Sequence, residues 1–457
     1  MTAPGAVVFG SFDAERSWRP ADAAVLPTVP DRQAARVAAG LDEVLAPVCG
    51  AGDLLVTRCA APDALGADAV AQVLGGAGLC APRTAVPGDP ELGVEQRLVA
   101  AAHVLRPRLR GRRARPYALT GAVADACAAL GMHLAPTPGH GPPDPAAVAR
   151  VNAKTWSNDL VLERGFAGAA RRVRSVRGLR DAAANLPVVV KDPYGVAGQG
   201  AIRVAERGTL DSVVRHLARQ ETRGREIDLL VQPLFAPGTD FSAHFAVDAD
   251  GTPVFTGLCE TFNDGFSYRG SRPMPGALAQ RVARLGYLEA AEDVARAVAA
   301  TGYRGPVCID SMLTGDGTLV PVLEINARMS MGLVALSLAR VLGPGGHGAT
   351  GGTPGGETTD GTAAGSGGTV LRQRTVLPAD ARAYERLAEA LRGRGLLAEA
   401  GRPGVLPLAA APLVPPCGRL VYGLTGDTAD ALTALGTGLT EVLGRLGMLP
   451  PGGTRAD

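Results

Sequence analysis

Residues 303–332 read YRGPVCIDSMLTGDGTLVPVLEINARMSMG. Two apolar runs, PVCIDSML and LVPVLEIN, flank TGDGT. The spacing predicts a β-hairpin, because Asp-Gly tolerates the positive φ that such turns need. Asp310 falls on the first strand and Glu324 on the second. Asn326 lies two residues beyond Glu324, so both side chains leave the same strand face. Two carboxylates and an amide oxygen on neighbouring strands make an oxygen-only donor set. Such a set, with few protein ligands, suits Mg²⁺, which keeps waters and takes further oxygens from phosphates. The competing reading is a polar hairpin with surface acids. Register separates the two. A two-residue Asp316-Gly317 turn would pair Asp310 with Leu323 and turn Glu324 to the opposite face. A shared ion therefore predicts an odd-length loop centred on Gly317, or a bulge, that sets Asp310 opposite Glu324 near Lys191.

The rest of the composition narrows the class. A chain of 457 residues should hold two or three domains. It is 46% hydrophobic and 20% charged, the balance of a soluble globular protein. The net charge of +2 makes no electrostatic case for nucleic acid or membrane. Seven cysteines without a CxxC pair argue against zinc and a disulfide framework, and suit a reducing cytoplasm. The opening MTAPGAVVFGSFDAE lacks a basic stretch followed by an apolar one, so no signal peptide is expected. Of the 46 basic residues only Lys154 and Lys191 are lysine. In so arginine-rich a background, a lysine can mark a place where a compact point charge fits and a planar guanidinium does not.

Along the chain, residues 1–150 read as an α/β domain, with GAVVFG and GDLLVTR as strands and ADAVAQVLGGAGL and TGAVADACAALGM as helices. The basic run LRPRLRGRRARP, around residues 105–115, reads as a solvated face or an anion patch. PTPGHGPPDP reads as a linker. Lys154 opens a helical segment. LPVVVK then runs as a buried strand into DPYGVAGQG, whose glycines are Gly195, Gly198 and Gly200. Such a loop can bring backbone N–H groups against phosphates. It is not a P-loop, since no Lys-Ser/Thr follows, and the next segment reads as a strand. Two β-like runs surround PLFAPGTD, where Asp240 could help to hold a nucleoside. Tyr268 and Arg269 are expected on a polar loop, and AQRVARLGYLEAAEDVARAVAATG as one helix. Residues 343–368 read as a Gly-rich flexible linker, and 369–457 as a small C-terminal α/β domain without site chemistry.

Two lysines, a glycine loop, a strand–connection–strand unit with an acid, and a hairpin with D…ExN follow one another between residues 151 and 342. In that order they resemble the ATP-grasp superfamily of carboxylate–amine ligases. More narrowly, FNDGFSYRGS and the flanking domains are similar to peptide ligases of the pheganomycin-biosynthesis type. The resemblance implies an ATP-grasp fold of mixed α+β and α/β class, with an N-terminal pre-ATP-grasp domain, a catalytic region at 151–342 and a C-terminal α/β domain. It implies that Lys154 and Lys191 contact ATP phosphates and that residues 195–200 form a mobile lid. Gln232 and Leu234 would lie along the adenine; Gln232 stands where the family often has an acid. Asp240 would bind the ribose, and Asp310, Glu324 and Asn326 would hold Mg²⁺ or, in its place, Mn²⁺. Arg328 and Lys191 would be catalytic, with Tyr268, Arg269 and Arg328 near substrate. The implied activity is ADP-forming amide or peptide ligation through an acyl phosphate, in natural-product biosynthesis. Its partners would be a small-molecule acid and an amine or peptide, in a cytoplasmic protein that can form a homodimer. The other readings are an acid–thiol ligase, a small-molecule kinase or a silent nucleotide-binding protein.

Overall fold

The computed structural model describes residues 5–28, 31–58, 65–79, 83–86, 88–89, 92–134, 144–195, 200–343 and 366–451. Gly198, most of the expected linker at 343–368 and most of PTPGHGPPDP fall outside them.

Three sheets organise these residues. The first is all parallel, with strands β1 (Val7–Phe9), β2 (Leu54–Arg58), β3 (Arg83–Val86), β4 (Arg113–Pro116) and β5 (His133–Leu134) in the order β3-β2-β1-β4-β5. Buried apolar runs such as Val7-Val8-Phe9 suit strands covered on both faces. The order reverses at β1, so the carboxyl ends of β1 and β4 open a crevice of the kind in which α/β sheets hold ligands. Most of the basic run is the solvated face expected, with Arg106, Arg108, Arg110 and Arg113 exposed, while two of its arginines brace the sheet. Arg112 donates from Nε to the Gly5 carbonyl at 2.9 Å, and Arg115 pairs with Asp53 at 2.8 Å.

The second sheet is a small antiparallel unit of β6 (Arg171–Val173), β7 (Val188–Lys191), β8 (Ala201–Val204) and β9 (Leu229–Pro233), ordered β6-β9-β7-β8. It packs on the helices Val176–Ala182 and Arg207–Glu221 around a hydrophobic core of its own. Ala24 and Leu26 are buried in that core although they belong to the first 150 residues. Ala23 forms a bridge with Glu226, and Arg19 pairs with buried Asp192 at 2.7 Å. The N-terminal region therefore straps the small unit.

The third sheet is antiparallel and has eight strands: β10 (Thr239–Val247), β11 (Pro253–Asp264), β12 (Ser267–Pro273), β13 (Gly305–Leu313), β14 (Leu319–Asn326), β15 (Ser366–Val376), β16 (Gly404–Pro407) and β17 (Gly418–Thr428). Their order is β14-β13-β10-β11-β12-β15-β17-β16. Three expectations change here. Tyr268 and Arg269 lie on β12, not on a loop, because the chain turns at Asp264–Ser267 and pairs back antiparallel along β11. The long helix breaks at Gly286, whose φ of 77° is left-handed, into Gly276–Arg284 and Tyr287–Ala300. The C-terminal strands make no sheet of their own. β15 pairs with β12, begins at Ser366 inside the expected linker, and carries β17 and β16 with it.

Candidate active site

The site forms where the small antiparallel unit faces one rim of the large sheet. On that rim Asp310 pairs directly with Glu324, and Cys308 with Asn326. Both turn devices are used at once. Nearest the turn, Leu313 pairs with Leu319, and the loop centres on Asp316 rather than Gly317, with Gly317 left-handed at φ 88°. The Thr314 N–H donates to the Thr318 carbonyl at 3.0 Å and the Gly317 N–H to the Thr314 carbonyl at 2.9 Å. The register then shifts between Asp310 and Met312 beside Pro321, which cannot donate to the ladder. Ser311 Oγ donates to the Pro321 carbonyl at 2.8 Å and closes the bulge. An odd loop and a bulge together bring the two acids face to face.

Asp310 is surrounded by weak donors. Asn326 Nδ2 donates to Oδ2 at 2.8 Å and Cys308 Sγ to Oδ1 at 3.3 Å. Burial, and then the Glu324 carboxylate opposite, push the Asp310 carboxyl up to about 7. Two facing carboxylates with so little compensation fit a divalent cation. Among the described residues no three His, Cys, Asp or Glu side chains converge to hold one. A cation here would take Asp310, Glu324 and, once its amide is turned over, the Asn326 oxygen; phosphates and water would supply the remainder.

Both lysines reach this point. Lys154 opens the helix Lys154–Arg164, with its N–H bonded to the Pro193 carbonyl. Its Nζ lies 3.0 Å from Glu324 Oε1 and donates to the Gly195 carbonyl at 3.0 Å. Lys191 ends β7 between Ala201 and Leu230. Burial pulls its ammonium down to about 8; Glu324 and Asp240 oppose the fall and Lys154 adds to it. Gly195 and Gly200 stand back to back. A Cβ on Gly195 would come 2.1 Å from Gly200 Cα, and one on Gly200 2.0 Å from Gly195 Cα. No side chain is tolerated at that pinch between Gly195 and Gly200.

Gln232 is buried on β9 and donates through Nε2 to the Gly168 carbonyl. Leu234 follows, with its N–H bonded to the Pro187 carbonyl at 3.2 Å. Asp240 begins the rim on β10; Asn263 Nδ2 donates to its Oδ2 at 2.8 Å. Burial raises the Asp240 carboxyl, against that hydrogen bond and the Lys191 charge. Tyr268 donates to Ser271 Oγ at 3.0 Å, and Arg269 pairs with Asp264 at 2.7 Å. The cluster thus gathers Lys154, Lys191, Gly195, Gly200, Asp240, Asp310, Glu324 and Asn326. Arg328 stands within electrostatic reach of Asp310 and Glu324, but its contacts go elsewhere. Its guanidinium pairs with Glu15, donates to Tyr117 Oη at 2.8 Å, and lies over the Tyr117 ring at 5.4 Å. Both partners sit at the switch-point crevice of the first sheet.

Glu15, Tyr117 and Asn263 are the residues that sequence reading missed. For Glu15 a signal existed: it follows the buried first strand, VVF, at the carboxyl end where parallel sheets place ligands. Tyr117 directly follows a run that reads as a charged surface. Backbone groups near Arg328 are also held. Asn152 Oδ1 accepts from the Ala327 N–H at 2.9 Å, and Ser157 Oγ from the Ile325 N–H at 3.2 Å.

The geometry matches a known architecture. The chain resembles biotin carboxylase from Campylobacter jejuni, solved with a β,γ-ATP ligand, at a TM-score of 0.54 and 11% identity, over 97% of this chain and 91% of that one. It also resembles the ADP complex of N5-carboxyaminoimidazole ribonucleotide synthetase, at a TM-score of 0.52 and 11% identity, over 98% and 100% of the two chains. The chain has the ATP-grasp fold. Among curated proteins it is 26% identical over 145 residues to butirosin acyl-carrier protein–L-glutamate ligase from Niallia circulans. That match covers 31% of this chain and about a third, 33%, of the relative. No family model matches the chain. Among the described residues, no helix is long and apolar enough to cross a membrane.

Proposed function

We propose that the chain is an ADP-forming carboxylate–amine ligase that makes an amide or peptide bond through an acyl phosphate, in natural-product biosynthesis. The observation that carries this reading is the convergence of Lys154 and Lys191 on Glu324, which faces Asp310 across the hairpin. A binding module has little need to oppose two scarce lysines to two carboxylates. The Niallia circulans relative is named as a ligase that joins L-glutamate to an acyl-carrier protein, and a ligase acting on an amino acid agrees with an acid–amine substrate pair.

The residues divide the work as follows. Lys154 and Lys191 supply point charges to phosphate oxygens, and Lys154 releases Glu324 as it does so. Gln232, Leu234 and Asp240 line the nucleoside side, with Asn263 fixing Asp240. A carboxylate oxygen of the acid attacks the γ-phosphorus, the bond to the β-phosphate bridging oxygen breaks, and ADP leaves. An amine then attacks the acyl carbon, the acyl–oxygen bond breaks, inorganic phosphate leaves, and the nitrogen gives up its proton. Such transfer is mainly positioning and charge neutralisation. Magnesium held by Asp310, Glu324 and Asn326 would neutralise phosphate charge. Arg328, released from Glu15, can present its fork to the carboxylate or the transferred phosphate.

The test is an ADP-release screen of carboxylic and amino acids crossed with amines and short peptides, with mass spectrometry of the products. The expected result is ADP and phosphate in equal amounts with an amide product. A thioester or a stable phosphorylated product in place of the amide would put the chain in a different ATP-using class.

A further inference from the structure

The catalytic rim continues past the acids, and its far end carries arginines. The rim is the end of the large sheet at which β10, β12 and β17 begin and β11, β13 and β15 end. Asp310 and Asp240 occupy one part of it. Along the same edge the register shifts between Phe262 and Asn263, and that irregularity leaves Arg269 without a facing residue on β11. Bulges of this kind re-aim side chains. Gly270 pairs with Arg372, which sets Arg269 beside Gln373, and Gln373 Nε2 donates to the Tyr268 carbonyl at 2.5 Å. One strand further on, Arg419 opens β17 opposite Thr375.

Arg419 is half-buried and has no acidic partner among the described residues. Its charge is disfavoured by burial and then by the neighbouring Arg269. Arg269 has Asp264, whereas Arg419, at the strand position paired with Thr375, has no acid among the described residues, so the pair keeps one uncompensated positive charge. Two guanidiniums near enough for one to disfavour the other's charge, with a single carboxylate on Arg269, leave a seat for one more carboxylate.

Distance decides what kind of molecule carries that carboxylate. Three strand spacings, about 14 Å, separate β13 from β12, and five, about 24 Å, separate it from β17, before any offset along the strands. The amine and carboxylate of a free amino acid lie within roughly 4 Å of each other and cannot bridge that span. An extended peptide covers roughly 3.3 Å per residue, so four or more residues reach.

We infer that Arg269 and Arg419 bind the free C-terminal carboxylate of a peptide acceptor, four or more residues long, whose amino terminus reaches the acyl phosphate beside Asp310. This deepens the ligase reading and rests on it. It brings the C-terminal region into the site, since Arg419 lies after the linker. It also gives the β12 bulge a task.

The experiment measures binding first, so that it does not depend on turnover. Pentaalanine, its C-terminal amide and free alanine are titrated calorimetrically into the full chain with a non-hydrolysable ATP analogue and Mg²⁺. Pentaalanine should bind about tenfold tighter than its amide, and alanine should show no measurable heat. Arg419→Gln should erase the difference between acid and amide, and Arg419→Lys should restore part of it. Equal affinity of acid and amide for the unaltered protein, or no binding of either, overturns the inference; so does an undiminished preference in Arg419→Gln. The ligase reading fails separately, if hydroxylamine traps no hydroxamate when the unaltered protein is given ATP and the same panel of acids.

Discussion

The crevice has a lysine wall and an arginine wall, and the two are built in different ways. On the lysine wall each group belongs to a short local pattern: Lys191 ends a strand before a glycine loop, and Asp310, Glu324 and Asn326 share one hairpin. On the arginine wall each guanidinium takes its place from chain far away. Arg328 is held by Glu15, on the helix Glu15–Trp18, and by Tyr117, just past β4, and Arg419 stands near Arg269 only because β15 joins β12. A point charge needs only a position, whereas a planar fork also needs an orientation, and that takes partners. The lysine wall can therefore be read from local sequence; on the arginine wall Arg269 and Arg328 are named by the resemblance, while Glu15, Tyr117 and Arg419 are not.

The strongest way to break this contrast is to remove an acid from the lysine wall. Asp310→Asn or Glu324→Gln should lower ADP release by about a thousandfold or more, the scale on which charge-stabilising groups act in phosphoryl transfer. A steady-state assay over a range of Mg²⁺ concentrations checks it; near-normal rates in both would remove the hairpin from the chemistry.

Next come the lysines. Lys191→Arg and Lys154→Arg should each lose about a hundredfold in kcat/KM for ATP with the fold retained, because a planar guanidinium does not reproduce the compact point charge that Lys154 brings between Glu324 and the Gly195 carbonyl and Lys191 brings near Glu324. Lys191 also predicts a pH limb. In the proposed role its charged form is the one that binds phosphate, and burial brings its ammonium down to about 8. The kcat/KM for ATP should hold below that value and decline as pH rises through it, as the ammonium is lost. The group is displaced downward by burial, so a limb at ordinary lysine values near 10.4 would mean that Lys191 is not the group observed.

The arginine wall should respond in stability more than in rate. Glu15→Ala leaves the Arg328 guanidinium, 14% exposed, without the buried carboxylate it pairs with, and breaking a buried pair costs about 3 kcal/mol. Urea unfolding measures it. A change within about 0.5 kcal/mol, the usual range of a surface substitution, would show that the pair is incidental. The smallest effect belongs to Asn263→Ala, which removes one hydrogen bond to Asp240. Loss of about 1 kcal/mol corresponds to roughly a fivefold rise in KM for ATP, with kcat little changed.

How far the sequence carried follows the same division. The hairpin, the strand before the glycine loop and the helix opened by Lys154 were legible because periodicity and turn residues are local signals. Even there the register came from two devices where one was expected: the loop centres on Asp316, and a bulge at Pro321 completes the shift. A proline in a strand was the available clue. Tyr268 and Arg269 read as a polar loop because charged residues crowd a strand whose face lines a crevice and not a core. The strap of residues 19–27 onto the small unit and the joining of β15 to β12 were illegible. Both are pairings between segments far apart in the chain, which composition does not encode.

The central claim is that the lysine wall transfers the γ-phosphoryl group to a carboxylate. The most direct measurement uses the acid substrate found in the screen, labelled with ¹⁸O in its carboxyl group, with ATP and the amine. One labelled oxygen should appear in inorganic phosphate, with ADP as the nucleotide product. Label in AMP, with pyrophosphate released, would mean that the carboxylate attacks the α-phosphorus and would contradict the account.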